Sequence, residues 1–180
     1  MVVAPQYAGP LGIEALNKAL REAALGPSDE PWLPKELVIQ TATYRFVEDD
    51  TNIVLANGTF GKVVSVGVAD LEVEYEGGLR RTWDKAACVG RGSAIYPAYA
   101  LSVHRAQGGQ ARRVVVVVGP DSSRWTDRAM GYTSVSRAQE EVVIVGDLEV
   151  LRGDPLGGGV EGRQTMLLEH YSRARARSAA

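Results

Sequence analysis

Two hydrophobic periods alternate along this chain, and the switches between them divide it. Val2-Val3-Ala4-Pro5 predicts a short strand next to Met1, broken by Gly9-Pro10. Across residues 12–25, Ile13, Leu16 and Leu20 recur at helical spacing with Ala15, Ala19 and Ala23 beside them. Gly26-Pro27 stops this helix with a flexible residue and then one that has no N–H donor. Residues 31–34, bounded by two prolines, read as a connector. Beyond them the period falls to two. Residues 37–47 and 53–89 hold short β-rich runs separated by turn signals. Leu71, Val73 and Tyr75 alternate with Glu72, Glu74 and Glu76, as a half-buried strand with a solvated acidic face requires. Asn57-Gly58 and Gly77-Gly78 predict hairpin turns, because both tolerate positive φ. Such spacing implies a small antiparallel barrel inserted in a larger domain.

From Ala98 the pattern is α/β again. Residues 99–103 predict a strand ending in a polar loop, and the five valines 114–118 a strand buried on both faces. Residues 125–137 read as a helix and 142–145 as another buried strand. Alternating strands and helices give a parallel sheet. Gly157-Gly158-Gly159 marks a linker, and residues 164–177 a short terminal helix with a frayed end. The predicted organisation is an α/β domain made of residues 1–36 and 90–150, an inserted barrel at 37–89, and a linker and tail at 151–180. A domain that opens on a strand with nothing before it reads as a fragment or a split chain.

Composition narrows this only a little. With 180 residues the chain can bury a real core, and a net charge of −2 argues against a generally basic nucleic-acid binder. Between His104 and Arg137, however, stand six arginines and two aspartates with no lysine or glutamate, so that segment is locally positive. Cys88 is the single cysteine, which precludes an internal disulfide and fits a reducing compartment. No signal peptide or membrane-spanning run is evident, and the expected location is cytoplasmic, with no membrane partner.

Two polar blocks carry candidate chemistry. Ser102-Val103-His104-Arg105-Ala106-Gln107-Gly108-Gly109-Gln110 follows a predicted strand, and its glycines allow backbone to approach a ligand closely. Ser102, His104 and Gln107 offer hydrogen bonds to phosphate or sugar. Taken alone, the block reads equally well as a polar turn with a capping serine. Tyr132-Thr133-Ser134-Val135-Ser136-Arg137-Ala138 sets an arginine near a helix end, where its planar fork suits phosphate oxygens. In isolation a surface ion pair explains that arginine as well.

In this order and spacing the two blocks closely resemble motifs V and VI of superfamily 1 helicases, in particular the RecD-like and UvrD-like enzymes. Upstream, Ala4-Pro5, Gly9-Pro10-Leu11-Gly12 and Ala15-Leu16-Asn17 resemble the segment that opens the second RecA-like domain. Asn57-Gly58-Thr59-Phe60-Gly61 resembles the turn of the Src-homology-3-like barrel inserted there. The resemblance implies a RecA-like (P-loop NTPase-type) mostly parallel sheet with helices on both faces, plus the barrel. It implies the C-terminal motor domain of an ATP-dependent 5′→3′ DNA helicase. Arg137 would be the arginine finger; Gly108, Gly109, Gln110, Tyr132 and Arg137 would face the nucleotide, with Tyr132 packed beside the finger. Ser102, His104, Arg105, Gln107 and Thr133 would meet single-stranded DNA. Gln110 departs from a common glutamate, and Gln139 and Arg105 each from a common lysine.

The sequence contains no G-x-x-x-x-G-K-[ST] phosphate loop: the Gly61-Lys62 pair is followed by Val63, and Ala56 occupies the first glycine position. Asp121 and Asp147 then read as strand-end residues. ATP and Mg²⁺ are therefore expected only in a complete two-domain motor, whose ATPase half, an N-terminal RecA-like domain or subunit, is the expected partner. No metal site is expected in this chain, since Cys88, His104 and His170 are too scattered. Trp83 and Trp125 read as core or rim rather than stacking residues. Two other readings remain open on the sequence: a non-enzymatic single-stranded nucleic-acid binding module, and the helicase portion of a conjugative relaxase.

Overall fold

A computed structural model describes residues 1–48, 50–90, 92–107, 109–119, 122 and 128–147. The expected linker and terminal helix at 151–180 lie outside these, as do Arg91, Gly108, Asp121 and Trp125.

The first element, β1 (Val2–Ala4), is followed by helix α1 (Ile13–Leu25). Gly12 has no side chain to cap that helix; backbone carbonyls of the preceding loop do it instead, Gln6 O accepting from Ile13 N (3.0 Å) and Tyr7 O from Glu14 N (3.2 Å). Three further strands complete a parallel sheet: β9 (Ala100–Ser102), β10 (Ala111–Val118) and β11 (Ala138–Gly146), in the order β11-β10-β1-β9. The valine run straddles the sheet. Val114, Val116 and Val118 join Val3 and Ala106 on one face, while Val117 joins Ala4 and Ile13 of α1 on the other. Asn17 closes the β9 edge. Its side chain both donates to Ala100 O and accepts from Ala100 N, each at 2.9 Å, imitating a paired strand.

Residues 37–97 supply the remaining strands. β2 (Leu37–Gln40), β5 (Phe60–Val66), β6 (Asp70–Tyr75), β7 (Arg80–Asp84) and β8 (Ile95–Pro97) form an antiparallel sheet in the order β7-β6-β5-β2-β8. A separate hairpin, β3 (Tyr44–Glu48) with β4 (Thr51–Leu55), lays Tyr44, Phe46 and Leu55 against the same core. That core holds Trp32, Val38, Val63, Leu71, Val73 and Trp83. Burying each such side chain contributes about 1.5–3 kcal/mol. Its polar atoms are chained together: Trp83 Nε1 donates to Tyr75 Oη (2.9 Å), which donates to Gln40 Oε1 (2.7 Å). Burial raises the Tyr75 phenol far above its ordinary range and pushes the Cys88 thiol up to about 11, which leaves the cysteine inert as a nucleophile.

The parallel sheet, the α1 spacing and the alternation in β6 match the sequence reading, and Trp83 is a core residue as expected. Three expectations need correction. Gly77-Gly78, with φ of 87° and 83°, does turn the β6–β7 hairpin, but Asn57-Gly58 joins strands of two different sheets. The strand at 142–145 is an exposed edge: Val142, Val143, Ile144 and Val145 are 37–48% accessible, because only β10 flanks β11 among the described residues. Trp32, in the supposed connector, is a core residue whose Nε1 donates to Cys88 O (3.1 Å). The helix expected at 125–137 is present as α2 (Arg128–Val135), with residues 125–127 outside the described residues. Two α-helices are described, besides a short 3-10 turn at Lys85–Cys88; α1 packs on the face that holds Ala4 and Val117, and α2 neighbours β10.

Candidate functional site

Most of the candidate residues sit on one short crossover. β9 and β10 are parallel with β1 between them, and the chain returns from the end of one to the start of the other within residues 103–110. Parallel strands usually need a connection of a dozen or more residues. Tight local bonding makes this one possible: Ala106 N donates to Ser102 O (3.0 Å), Gln107 N to His104 O (3.2 Å) and Gly109 N to Ala106 O (3.2 Å). Ala106 is buried against the face carrying Val3, Val114 and Val116, which pins the middle of the turn to the sheet. Gly108 falls among the residues that are not described.

Above this turn, at the carboxyl ends of β1 and β9, lies a cleft of about 640 Å³. Ligands of open α/β sheets bind at such ends. Ser102, His104, Arg105 and Gln107 line one wall and Tyr7 another, while Asn57 and Gly58 close it from the antiparallel sheet. His104, Arg105 and Gln107 are exposed. The Arg105 guanidinium lies 5.1 Å from the Tyr96 ring centroid, a cation–π contact that braces it. Burial raises the Tyr96 phenol, with Glu14 adding to the shift and Arg105 opposing it. Ser102 behaves differently from the other three. It is buried, and its Oγ accepts from Arg105 N (3.2 Å) and from Tyr7 Oη (3.3 Å), so it caps the turn and holds its neighbours.

Arg137 follows α2 and leads into β11. Its Nε donates to Thr133 O (3.1 Å), one terminal nitrogen to Ser136 Oγ (3.1 Å) and the other to Gly109 O (3.4 Å). The last bond brings the two sequence blocks together, and Arg137 O also accepts from Ala111 N (3.0 Å). A guanidinium has five N–H groups. These bonds use three and fix the plane of the fork. Tyr132 is 73% exposed, and the groups that hold Arg137 are the carbonyls of Thr133 and Gly109 and the Ser136 hydroxyl. Gln110 is exposed beside Arg137's neighbour Gly109, and its Oε1 accepts from Gln139 Nε2 (3.4 Å).

A second, more polar recess of about 400 Å³ is lined by Gly109, Gln110, Thr59 and Glu76. It shares Asn57, Gly58, Arg105 and Gln107 with the larger cleft. The candidates thus separate into two groups joined by a common wall. Gly109, Gln110 and Arg137 lie near the start of β10, and His104, Arg105 and Gln107 open onto the cleft at the other end of the sheet. Thr133 contributes its carbonyl to the Arg137 cluster. Sequence reasoning passed over Tyr7, whose signal was an aromatic placed directly after a strand and before a glycine-rich break. No cluster of three or more His, Cys, Asp or Glu suited to a metal occurs among the described residues, and no described helix is long and apolar enough to cross a membrane.

Comparison with known proteins bears on the fold and the family likeness. Residues 97–145 match the UvrD-like helicase C-terminal domain family. The chain is 28% identical over 177 residues to the ATP-dependent RecD2 DNA helicase of Deinococcus radiodurans, covering 93% of this chain and 23% of that protein. It is 28% identical over 142 residues to the RecBCD enzyme subunit RecD of Mycolicibacterium smegmatis, covering 77% of this chain and 23% of that one. This chain therefore spans about a quarter of the length of these relatives. Its fold is similar to that of Bacteroides Pif1 bound to single-stranded DNA, with a TM-score of 0.56 and 12% identity over 99% of this chain and 46% of the other. Residues 97–145 thus match the UvrD-like helicase C-terminal domain family, and the chain around them is similar to RecD helicases over most of its length, consistent with the C-terminal domain of such a helicase.

Proposed function

We propose that this chain is the C-terminal motor domain of an ATP-dependent 5′→3′ DNA helicase of the RecD type, working with an N-terminal RecA-like ATPase half. Arg137 acts as the arginine finger, and the crossover turn, held by Ser102, lends His104, Arg105 and Gln107 to the single-stranded DNA track. The observation that carries this reading is the Arg137–Gly109 contact. It holds a guanidinium against Gly109, a residue that lines the polar recess, with two N–H groups not engaged by any described residue, as a phosphoryl-stabilising group requires. ATP with Mg²⁺ supplies the phosphoryl group in the assembled motor. This chain's share is to orient Arg137 through Thr133, Ser136 and Gly109, and to flank it with Gln110. The absence of a phosphate loop from the sequence assigns the Mg²⁺ site to the other half. The antiparallel sheet stands in the place of the inserted Src-homology-3-like barrel and closes the cleft with Asn57-Gly58.

Two ATPase measurements test this. The pure chain, with or without single-stranded DNA, turns over no ATP; appreciable turnover defeats the reading. Paired with an N-terminal ATPase half, the chain supports DNA-stimulated hydrolysis. Arg137→Ala lowers that rate about 10³-fold or more while DNA affinity is kept.

A further inference from the structure

On the antiparallel sheet, β2, β5 and β6 frame a groove of about 550 Å³ that none of the candidate site residues lines. Its apolar lining is left to water: Leu37 is 43% and Val64 38% exposed, with Phe60 half-buried beside them. On the solvent face of such a sheet polar side chains are the rule. Charge is sorted across the groove. Lys35, just before β2, stands on one bank, Glu74 and Glu76 stand on the β6 bank, and Lys62 lies on β5 between them. Among the described residues no ion pair engages Lys35, Lys62 or Glu76. Both Arg80 bonds to Glu74 fall on Oε2, which leaves Oε1 without a described partner.

Beyond the described residues, the sequence holds a segment of matching pattern. Met166-Leu167-Leu168 is apolar, Glu169 is the one acid between Gln164 and Ala180, and Tyr171 precedes Arg173, Arg175 and Arg177. In the helix that the sequence predicts there, Leu167, Leu168, Tyr171 and Arg175 share one stripe, at i, i+1, i+4 and i+8. An acid first and bases last is the charge order that answers lysines on one bank and glutamates on the other. The 19 residues between Asp147 and Leu167 span up to roughly 60 Å, more than the width of a domain of this size. The groove is therefore within reach.

We propose that this groove is the docking site of the chain's own C-terminal segment, with Leu167, Leu168 and Tyr171 on Leu37, Phe60 and Val64, and with Arg175 against Glu76 and Glu74. An amphipathic helix laid in an apolar groove by anchors at this spacing is a recurring mode of recognition, and the opposed charges fix its direction. Phe60 and Glu76 also line the polar recess that holds Gly109 and Gln110. The docked segment thus brings its arginines to the edge of that recess.

A nitroxide on the full chain tests this. Cys88 is buried with its thiol held protonated, so in the folded protein the reagent labels a cysteine introduced by Ala176→Cys. In the docked state the nitroxide broadens the amide signals of Leu37, Lys62, Val64 and Glu76 in the nuclear magnetic resonance spectrum, and reducing the label restores them. Leu37→Asp and Glu76→Lys, both at exposed positions, each abolish the broadening. Arg175→Glu brings it back in the Glu76→Lys background, which excludes misfolding as the cause of its loss. The proposal is overturned if the groove signals keep their intensity, if the broadening falls instead on His104, Arg105 and Gln107, or if neither groove variant changes it. It is overturned too if a chain without nitroxide is broadened equally by an added nitroxide-bearing chain, which assigns the segment to a second copy. None of these readouts passes through ATP turnover, so failure here leaves the motor reading to its own test.

Discussion

Glu36 sits at 0% exposure where α1 meets the antiparallel sheet, with its Oε1 2.9 Å from Arg21 Nε and its Oε2 accepting from Leu33 N (2.9 Å). Burial raises its carboxyl pKa; the Leu33 N–H and Arg21 pull the other way without cancelling the shift. A pKa raised on folding means that the native state binds the proton more readily than the unfolded chain. The contribution is then fully present below the ordinary glutamate range and is lost as pH rises through the folded value. Glu36→Gln removes the titration and keeps the shape. The stability of the native protein relative to this variant is therefore expected to grow as pH is lowered from 7 toward 4.5. Urea denaturation at several pH values measures it, and a difference that shrinks on acidification contradicts the assignment. Nothing local in Pro34-Lys35-Glu36-Leu37 marks Glu36 as internal, because its burial depends on a helix fifteen residues upstream (Arg21). Arg137 was legible from its block, but the Gly109 carbonyl that receives it was not. That contact depends on how two strands come to lie side by side.

At the scale of elements, legibility followed how local the determining contacts are. α1, β6 and β10 were readable because hydrophobic period and flanking breakers decide them within a few residues. The Asn57-Gly58 turn was misread because positive φ at Gly58 specifies a turn without specifying which strands pair on either side. β11 has the composition of a buried strand, and its outer position follows only from the strand order. The loop between β1 and α1 is a stricter case. A Cβ on Gly12 would lie 2.4 Å from both the Tyr7 and Ala8 carbonyl oxygens, although φ there is an ordinary −78°. The Tyr7 carbonyl cannot retreat without giving up its bond from Glu14 N in the α1 cap. Gly12→Ala is expected to cost about 2 kcal/mol, as overpacking typically does, read as a lower urea midpoint with an unchanged slope. A variant as stable as the native chain would show that the loop yields freely. Because Tyr7 rides on this loop, the same change also disturbs the cleft wall.

For the whole molecule, a net charge of −2 means that any strand affinity comes from a local field. Arg105, exposed and braced on Tyr96, is the cation lining the main cleft. If it neutralises one phosphate, Arg105→Ala lowers the slope of log affinity against log salt by about 0.7, the value for one single-strand contact. An unchanged slope would place the electrostatic contact elsewhere. The architecture as a whole was the most legible level: a parallel sheet interrupted by antiparallel strands was visible as a change of period.

Among the described residues, one margin of the parallel sheet has no paired neighbour. β11 runs nine residues along the rim of its sheet, with apolar side chains on both surfaces and no described neighbour beyond it. Its outward amides and carbonyls form a ready template for any extended peptide that drifts alongside. If that line is free in the whole protein, concentrated samples self-associate along it, and a gatekeeping lysine at Val143 or Val145 suppresses the association.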